Sequence, residues 1–559
     1  MPATPAPAMR AAAALAVRWR TALAACLLLA AALPAPAQPE TLSAAQWRED
    51  LRFMATEMER RHKNLYHSVS REQFAAAVAG LDARIPGLQR HEIVAGMMRI
   101  AALVGDGHTR VDPRKDAKFG LPSLPLKLYL FDDGLYVRAA APTHAALVGA
   151  RVEAIGGVAV DEAMRRAGQL ASRDNAMGPA LFIPLYLAMP PLLHALQLSA
   201  GPDAAVLTLR KDGRLWTETV AAGAVAPLWP PDTDISLVTP PGWVDARTTP
   251  QPPLWLQEPL AYHRLVDLPQ QRAVYAQLNM VADIEGQSLG RFGARIRQRA
   301  QALDARAIVL DLRLNQGGNG DLIHGFVREL LLATRDGARL FVLTGRGTFS
   351  ASQFILDDLT RLGQAIVVGE PASSRPSSYG DAYRVTLPHS GISVRTSILW
   401  WQSWQNTDPW TWVDVAAPLS FAAYAAGEDP ALEQALRHVP PVPLEDRLLA
   451  AVRAGGDAAV GNVVSAYRAD PLNRYADQAR ALIRGAARLT EAGQGGAALA
   501  VAERAASDFP QQTDAWVVLA QLAEAAGRTG LARSAGMRAL ALDPNNRFVR
   551  SLLERLPAR

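Results

Sequence analysis

The sequence predicts a multidomain protein of mixed α and β structure. Its 559 residues are more than one hydrophobic core ordinarily organises. The spacing of apolar residues changes along the chain, from helical spacing near the N-terminus to short strands between turn residues, and then to strands that alternate with helices. The C-terminal part is rich in alanine and repeats its pattern every 34 residues. We therefore expect an α+β architecture with several domains.

Residues 1–37 have the three parts of a secretory signal peptide. Three arginines precede an uncharged apolar run from Thr21 to Leu33, and an Ala-Pro-Ala sequence ends at Ala37. Because this run is too short to span a bilayer permanently, we expect a periplasmic or secreted protein with no permanent membrane span. A lipoprotein anchored at Cys26 is the less favoured alternative, since the apolar run continues beyond that cysteine.

Composition excludes several classes of function. Removal of the signal peptide lowers the formal net charge from +5 to +2, which is too small to indicate a nucleic-acid partner. Cys26 is the only cysteine, so the exported chain would have no disulfide and no thiolate ligand. The glycine loop at 317–320 lacks the Lys-Ser/Thr of a phosphate loop, and no residues stand at metal-ligand spacing. We expect no metal and no cofactor.

Residues 38–112 are predicted to form an N-terminal helical domain. Apolar residues at helical spacing indicate helices around Leu51 and Ile93, and Ser70 could form a capping box for a helix between them. The domain ends in Gly105-Asp106-Gly107-His108-Thr109, where the glycines impose a tight turn and leave His108 on a loop.

Residues 113–225 are predicted to form a β-domain. The segment from Leu147 to Gly157 resembles the part of PDZ domains where a hydrophobic turn leads into a strand and a glycine turn. That resemblance implies binding of extended peptides by strand addition, and a purely structural domain remains the alternative. The predicted strands are Leu126–Leu130, Leu135–Arg138, Arg151–Ile155, Val206–Arg210 and Thr217–Val220.

Residues 226–438 are predicted to form an α/β core. Because strands alternate with helices, most strands should be parallel, with their loops and the active site at one sheet edge. One strand runs into Gly317-Gly318, whose N–H groups suit an oxyanion hole, although an ordinary turn is the alternative. The next strand leads to Ser350 before a helix, where a nucleophile or a simple helix cap would fit.

The remaining segments are a hairpin, an aromatic tract and a helical tail. A hairpin is predicted around residues 388–391, and five tryptophans follow within residues 400–412, either as lid packing or as an apolar substrate groove. Residues 439–470 are predicted as a linker and helices. The 34-residue period in residues 471–559 is typical of tetratricopeptide repeats, which would bind a protein partner or dock on the core.

Three motifs together resemble a known family. Arg-x-Asn-x-Gly-Gly at Arg313–Gly318, Phe349-Ser350-Ala351-Ser352, and Val367-Val368-Gly369-Glu370-Pro371 are similar to motifs of the C-terminal processing, or tail-specific, serine proteases. The likeness covers residues 41–437 and points to the branch of tricorn core protease and interphotoreceptor retinoid-binding protein. It implies a ClpP/crotonase-like core, serine-type endopeptidase activity and a polypeptide substrate.

The resemblance also implies roles for individual residues. Most members use a lysine downstream of the serine as the base, but Arg375 stands at that place here and cannot accept a proton. The tricorn-like branch uses an upstream histidine and a downstream acid. By this resemblance Ser350 is the nucleophile, His108 the general base and Asp408 the acid that holds the imidazole, with Asp106 as the alternative acid.

The oxyanion in this interpretation would be held by the main-chain N–H of Ala351 and that of Gly317 or Gly318. The leading hypothesis is therefore an exported serine peptidase. Two alternatives stay open: a catalytically inactive protein of the same fold that binds peptides or apolar ligands, and an assembly factor whose repeats dock partners.

Overall fold

The computed structural model describes residues 42–112, 121–223, 237–403 and 407–557. The predicted signal peptide lies outside these ranges, as do residues 404–406 of the aromatic tract. No helix in the described ranges is both long enough and apolar enough to cross a membrane.

Three helices and a short strand begin the fold. The predicted helices are confirmed, and Ser70 caps the second one by accepting the N–H of Gln73 at 3.1 Å. Leu51, Met54 and Met58 recur on one face of the first helix and are fully buried, as their spacing predicts. The elements are α1 (Ala44–Arg61), α2 (Arg71–Arg84), α3 (Arg90–Leu103) and β1 (Arg110–Val111).

The second region is a β-sheet with three helices. The sheet is β2 (Leu126–Phe131), β3 (Gly134–Ala140), β4 (Arg151–Ile155), β6 (Ala204–Lys211) and β7 (Arg214–Ala221) in that order, with β5 (Val158–Ala159) on β4 and β8 (Val244–Asp245) on β3. The five predicted strands are confirmed. The helices are α4 (Val160–Gly168), α5 (Met177–Leu187) and α6 (Pro190–Ala195). These three helices were not predicted. Helix α5 contains Pro184 and is apolar on nearly every side, so it lacks the polar face that marks a helical period.

One hydrophobic core joins the N-terminal helices to this sheet. Met54 of α1, Leu128 of β2 and Val152 of β4 belong to a single buried cluster. The predicted boundary at residue 112 therefore does not interrupt the packing.

A six-stranded sheet forms the centre of the molecule. The strand order is β16-β13-β12-β11-β10-β9, and all pairs are parallel except β9 with β10. The strand and helix alternation predicted for this region is confirmed. The elements are α7 (Leu254–Gln257), β9 (His263–Leu268), β10 (Ala273–Leu278), α8 (Leu289–Ala302), β11 (Ala307–Asp311), α9 (Ile323–Arg335), β12 (Arg339–Thr344), α10 (Ala351–Gly363), β13 (Ile366–Gly369), β14 (Ser378–Thr386), β15 (Ser393–Trp401) and β16 (Val415–Ala416).

Both faces of this sheet are buried. In β12, Leu340 and Val342 pack with α8, α9 and α10, whereas Phe341 and Leu343 pack toward α12 (Pro430–Leu436), which follows α11 (Phe421–Ala426). Because β11 and β12 are parallel neighbours, the loops that follow them lie side by side at one sheet edge.

A third sheet attaches the histidine turn to the core. The predicted hairpin is confirmed as β14 and β15, and β15 also pairs with β1 through Arg395 and Arg110. His108, two residues before β1, is thereby held next to this hairpin.

The C-terminal helices have a core of their own. Leu448, Leu482 and Leu519 belong to one buried cluster, and successive helices from α15 to α18 pack against one another. Helices α16 and α18 begin 34 residues apart. The helices are α13 (Leu444–Gly455), α14 (Val460–Ala469), α15 (Gln478–Glu491), α16 (Gly495–Asp508), α17 (Thr513–Ala525), α18 (Thr529–Leu542) and α19 (Arg547–Arg555).

Candidate active site

Ser350 occupies a strained turn between β12 and α10. Its backbone has φ 61° and ψ −127°, a conformation that residues with a side chain rarely adopt. Its N–H donates to Ser374 Oγ at 2.8 Å, which helps to hold the turn. Its own side chain makes no capping hydrogen bond to α10. The interpretation of Ser350 as a simple helix cap is therefore wrong.

His108 lies next to Ser350 although it is distant in the sequence. Its Nε2 lies 3.0 Å from Ser350 Oγ, although the two residues are 242 positions apart. The imidazole also packs on the ring of Phe349, with centroids 4.4 Å apart. The structure thus brings together two of the predicted site residues in hydrogen-bonding geometry.

Asp106 holds the backbone of the histidine turn. Its Oδ1 accepts the N–H of His108 at 2.9 Å and that of Thr109 at 2.7 Å, and it also accepts the Ser397 hydroxyl at 2.8 Å. Its Oδ2 lies 2.8 Å from His62 Nε2. Burial acts to raise the pKa of Asp106, but these bonds, that of His62 foremost, lower it to about 2. The buried carboxylate is therefore ionised and satisfied.

Sequence reasoning missed His62 and Ser397. His62 follows α1, and its Nδ1 accepts the N–H of Asn64 at 3.0 Å, which leaves the proton on Nε2 for Asp106. Ser397 lies within β15 and is fully buried. Neither residue stands in a motif, so no local pattern marks them.

The prediction that Asp408 holds the imidazole is wrong. Its carboxylate instead accepts Trp412 Nε1 at 3.0 Å. The ring nitrogen of His108 that such an acid would bind, Nδ1, is buried and bonds to no carboxylate among the residues the structure describes. The alternative acid, Asp106, binds the main chain of the histidine and not its ring.

Burial sets the protonation of the histidine. Loss of solvent lowers the pKa of His108 to about 4, against the opposing effects of Asp106 and the Tyr379 main-chain carbonyl. Two arginines, Arg110 and Arg395, lower the pKa further. At neutral pH the imidazole is uncharged and can accept a proton.

The glycine loop after β11 lies directly against Ser350. A Cβ on Gly317 would stand 2.7 Å from the Cβ of Ser350. The Gly317 N–H donates to Asn315 Oδ1 at 2.8 Å, so its predicted role as an oxyanion donor is corrected. Within the described part of the chain, the N–H groups of Gly318 and Ala351 make no hydrogen bond, and both residues line the cleft. Both N–H groups are free to donate to an oxygen atom in the cleft.

A second carboxylate, that of Asp174, also binds the main chain of the histidine turn. Asp174 Oδ1 accepts the N–H of Gly107 at 2.7 Å, while its Oδ2 is buried and lacks a partner among the described residues. Burial, and then the charge of Asp106, raise the pKa of Asp174 to about 7.

Arg375, which stands where a lysine base would be, has an exposed side chain outside the cleft lining.

Ser350 and His108 open onto a common cleft. Of the predicted aromatic tract, Trp401 lines this cleft, whereas Trp410 and Trp412 pack edge to face against each other. The tract is thus divided between the lining of this cleft and internal packing. In the described ranges, no group of three or more His, Cys, Asp or Glu residues is arranged to hold a metal ion.

Comparison with known proteins gives a fold. No protein-family model and no curated protein matches this sequence. A crystal structure of a CPAF mutant is similar, with a TM-score of 0.50 and 11% identity over 71% of this chain and 99% of that one. The chain has the fold of CPAF.

Two other solved structures are similar at lower scores. Mature CPAF complexed with lactacystin has a TM-score of 0.47 and 12% identity, covering 69% of this chain and 96% of its own. The photosystem II D1 C-terminal processing protease has a TM-score of 0.33 and 14% identity, covering 70% and 96%. At these identities the likeness to CPAF concerns the path of the chain, and the chemistry of the cleft follows from the residues present here.

Proposed function

We propose that this chain is an exported serine endopeptidase of the C-terminal processing protease family, which hydrolyses peptide bonds through an acyl-enzyme on Ser350. The observation that carries the proposal is the 3.0 Å pairing of Ser350 Oγ with His108 Nε2 in an open cleft. A nucleophile within hydrogen-bonding reach of an uncharged base is the arrangement that acyl transfer requires.

In the acylation step, Ser350 Oγ attacks the carbonyl carbon of the substrate while its proton moves to His108 Nε2. The negative charge on the tetrahedral intermediate is held by the N–H groups of Gly318 and Ala351, which are otherwise unused. The imidazolium then gives its proton to the leaving amine as the C–N bond breaks. An ester of Ser350 remains.

In the deacylation step, a water molecule attacks this ester and gives its proton to His108 Nε2. Collapse of the second tetrahedral intermediate returns the proton to Ser350 Oγ and releases the new carboxyl terminus. The buried Asp106 carboxylate raises the pKa of His108 and so stabilises the imidazolium in both steps, without a contact to the ring.

A fluorophosphonate probe tests this proposal. The chain without residues 1–37 should be labelled, and labelling should disappear in Ser350→Ala and His108→Ala. Ser551→Ala and His144→Ala serve as matched controls, because they change the same residue types outside the cleft lining, and both should be labelled like the wild type. Absence of wild-type labelling would favour the inactive binding protein.

Arg375 provides a separate test of the base. Since an arginine stays protonated, Arg375→Ala should retain labelling if His108 is the base. Loss of labelling in a folded Arg375→Ala variant would contradict the assignment of His108.

Three further parts of the proposal concern the two ends of the chain and the β-domain. We propose that residues 1–37 direct export, which the sizes of the precursor and of the protein in a periplasmic or culture fraction would test. We also propose that the C-terminal helices act as tetratricopeptide-like repeats that dock a protein partner, and that the β-domain helps to hold an extended polypeptide.

A further inference from the structure

The cleft next to Ser350 has an acidic lining. Asp321 and Asp381 line it, and no lysine or arginine of the described chain does. Both aspartates are exposed, and the third titratable lining group, His108, is uncharged at neutral pH. A substrate side chain that enters this cleft therefore meets two carboxylates.

Asp381 is held in place by an unusual backbone. Its φ is 50°, and it is the one residue within β14 that forms no pair with β15, although the register is unbroken on either side. Its Oδ2 accepts Trp401 Nε1 at 2.8 Å. The carboxylate is thereby fixed beside the aromatic wall of the cleft.

That wall consists of Trp401 and Phe354. Their ring centroids lie 5.4 Å apart, and Trp401 is 37% exposed. A Cβ on Gly380 would stand 3.1 Å from the indole, so a glycine there lets Trp401 lie close over the strand. An exposed indole beside a carboxylate suits a long side chain with an apolar stem and a cationic end.

We infer that the cleft selects a lysine or arginine side chain of the polypeptide substrate next to the scissile bond. This inference rests on the proposed function and names its substrate class. The aliphatic stem lies along Phe354 and Trp401, and the charged end lies near Asp381 and Asp321. An acidic side chain at this position is repelled, and a neutral apolar one leaves the carboxylates without a counter-charge.

Cleavage of matched peptides tests the inference. Internally quenched peptides that differ only in one residue, Lys, Arg, Leu, Phe or Glu, are cleaved by the chain lacking residues 1–37. Because the carboxylates are exposed, we expect kcat/KM for Lys and Arg to exceed that for Leu and Phe by roughly fivefold, with Glu lowest. Salt should narrow this preference, since ions screen exposed charges.

Variants assign the preference to the two carboxylates. Asp381→Asn and Asp321→Asn should each lower the ratio of kcat/KM for Lys to that for Leu. Asp358→Asn is the matched control: this acid is on α10, outside the cleft lining and paired with Arg361 at 3.3 Å, so its change should leave the ratio as in the wild type.

The outcomes separate this inference from the proposed function. If the probe labels Ser350 but Leu or Phe peptides are cleaved faster than Lys and Arg peptides, the inference is overturned and the peptidase stands. The same holds if neither asparagine variant changes the ratio. If the probe does not label Ser350 and no peptide is cleaved, the proposed function fails and the inference with it.

Discussion

The carboxylate of Asp106 accepts the main-chain N–H of His108 at 2.9 Å, two residues along the chain, and leaves the imidazole untouched. In the usual arrangement of a serine, a histidine and an acid, the acid binds the ring and fixes its tautomer. Here Asp106 instead fixes the turn that carries the ring. His62 donates a hydrogen bond to the other oxygen of the Asp106 carboxylate. The position of His108 therefore depends on a buried hydrogen-bond network that includes His62, the residue that follows α1.

Removal of this carboxylate should destabilise the protein. Asp106→Ala leaves the His62 ring N–H, the Ser397 hydroxyl and two main-chain N–H groups without an acceptor at a site that is 1% exposed. We expect the free energy of unfolding, measured with urea, to fall by about 3–5 kcal/mol. Asp106→Asn keeps one acceptor and should lose less. A loss below about 1 kcal/mol in Asp106→Ala would contradict the role of this network.

The pH dependence of labelling reports the protonation of His108. Only the neutral ring accepts the serine proton, and burial lowers its pKa from 6.5 to about 4. The labelling rate should therefore be constant from neutral pH to about 5 and fall roughly tenfold per pH unit below 4. A midpoint near 6.5 would contradict this geometry.

The same measurement needs a check that the protein stays folded. Since the folded pKa of His108 lies below 6.5, this histidine takes up more protons in the unfolded chain between pH 6.5 and 4, and its contribution to stability falls as the pH falls through that window. Tryptophan fluorescence at each pH separates loss of structure from protonation of the base.

Local sequence predicted the elements and the turns, but not how side chains meet across the fold. Ser350 could be proposed because it lies between a predicted strand and a predicted helix, and His108 because it lies on a glycine turn after a predicted helix. The family resemblance then paired the two residues. Asp408 was misassigned because the number of residues between it and Ser350 does not determine where its side chain points. Its carboxylate binds Trp412, four residues further along the same segment.

The features that the sequence did not predict depend on contacts between distant parts of the chain. His62 and Asp106 are 44 positions apart, and Ser397 and Asp106 are 291 apart, so these hydrogen bonds have no local signature. Helix α5 was missed for the related reason that burial on nearly all sides removes the polar face from which a helical period is recognised.

Asp174→Asn should stabilise the protein at alkaline pH. Burial raises the pKa of Asp174 from 3.8 to about 7, so this carboxyl holds more protons in the folded chain between these values, and its contribution to stability falls as the pH rises through them. The asparagine cannot ionise, yet its oxygen can still accept the Gly107 N–H. We expect a gain on the order of 2 kcal/mol at pH 8 and almost none at pH 4, measured with urea. An equal change at both pH values would show that ionisation is not the cause.

Gly317→Ala should separate nucleophile position from overall folding. The glycine has φ 104°, and a Cβ there would stand 2.7 Å from Ser350 Cβ and 2.9 Å from the Phe349 carbonyl oxygen, so the nucleophile's turn must shift. Because a displacement of about 1 Å can cost roughly a hundredfold in rate, we expect at least that loss in probe labelling.

Gly320→Ala is the matched control for this loop. Its added Cβ would meet only Phe354, at 3.6 Å, which is an ordinary contact. It should therefore fold like the wild type and keep most of its labelling. If Gly317→Ala, shown to be folded by its urea midpoint, were labelled as fast as Gly320→Ala, then close contact between the glycine loop and Ser350 would not be needed for catalysis.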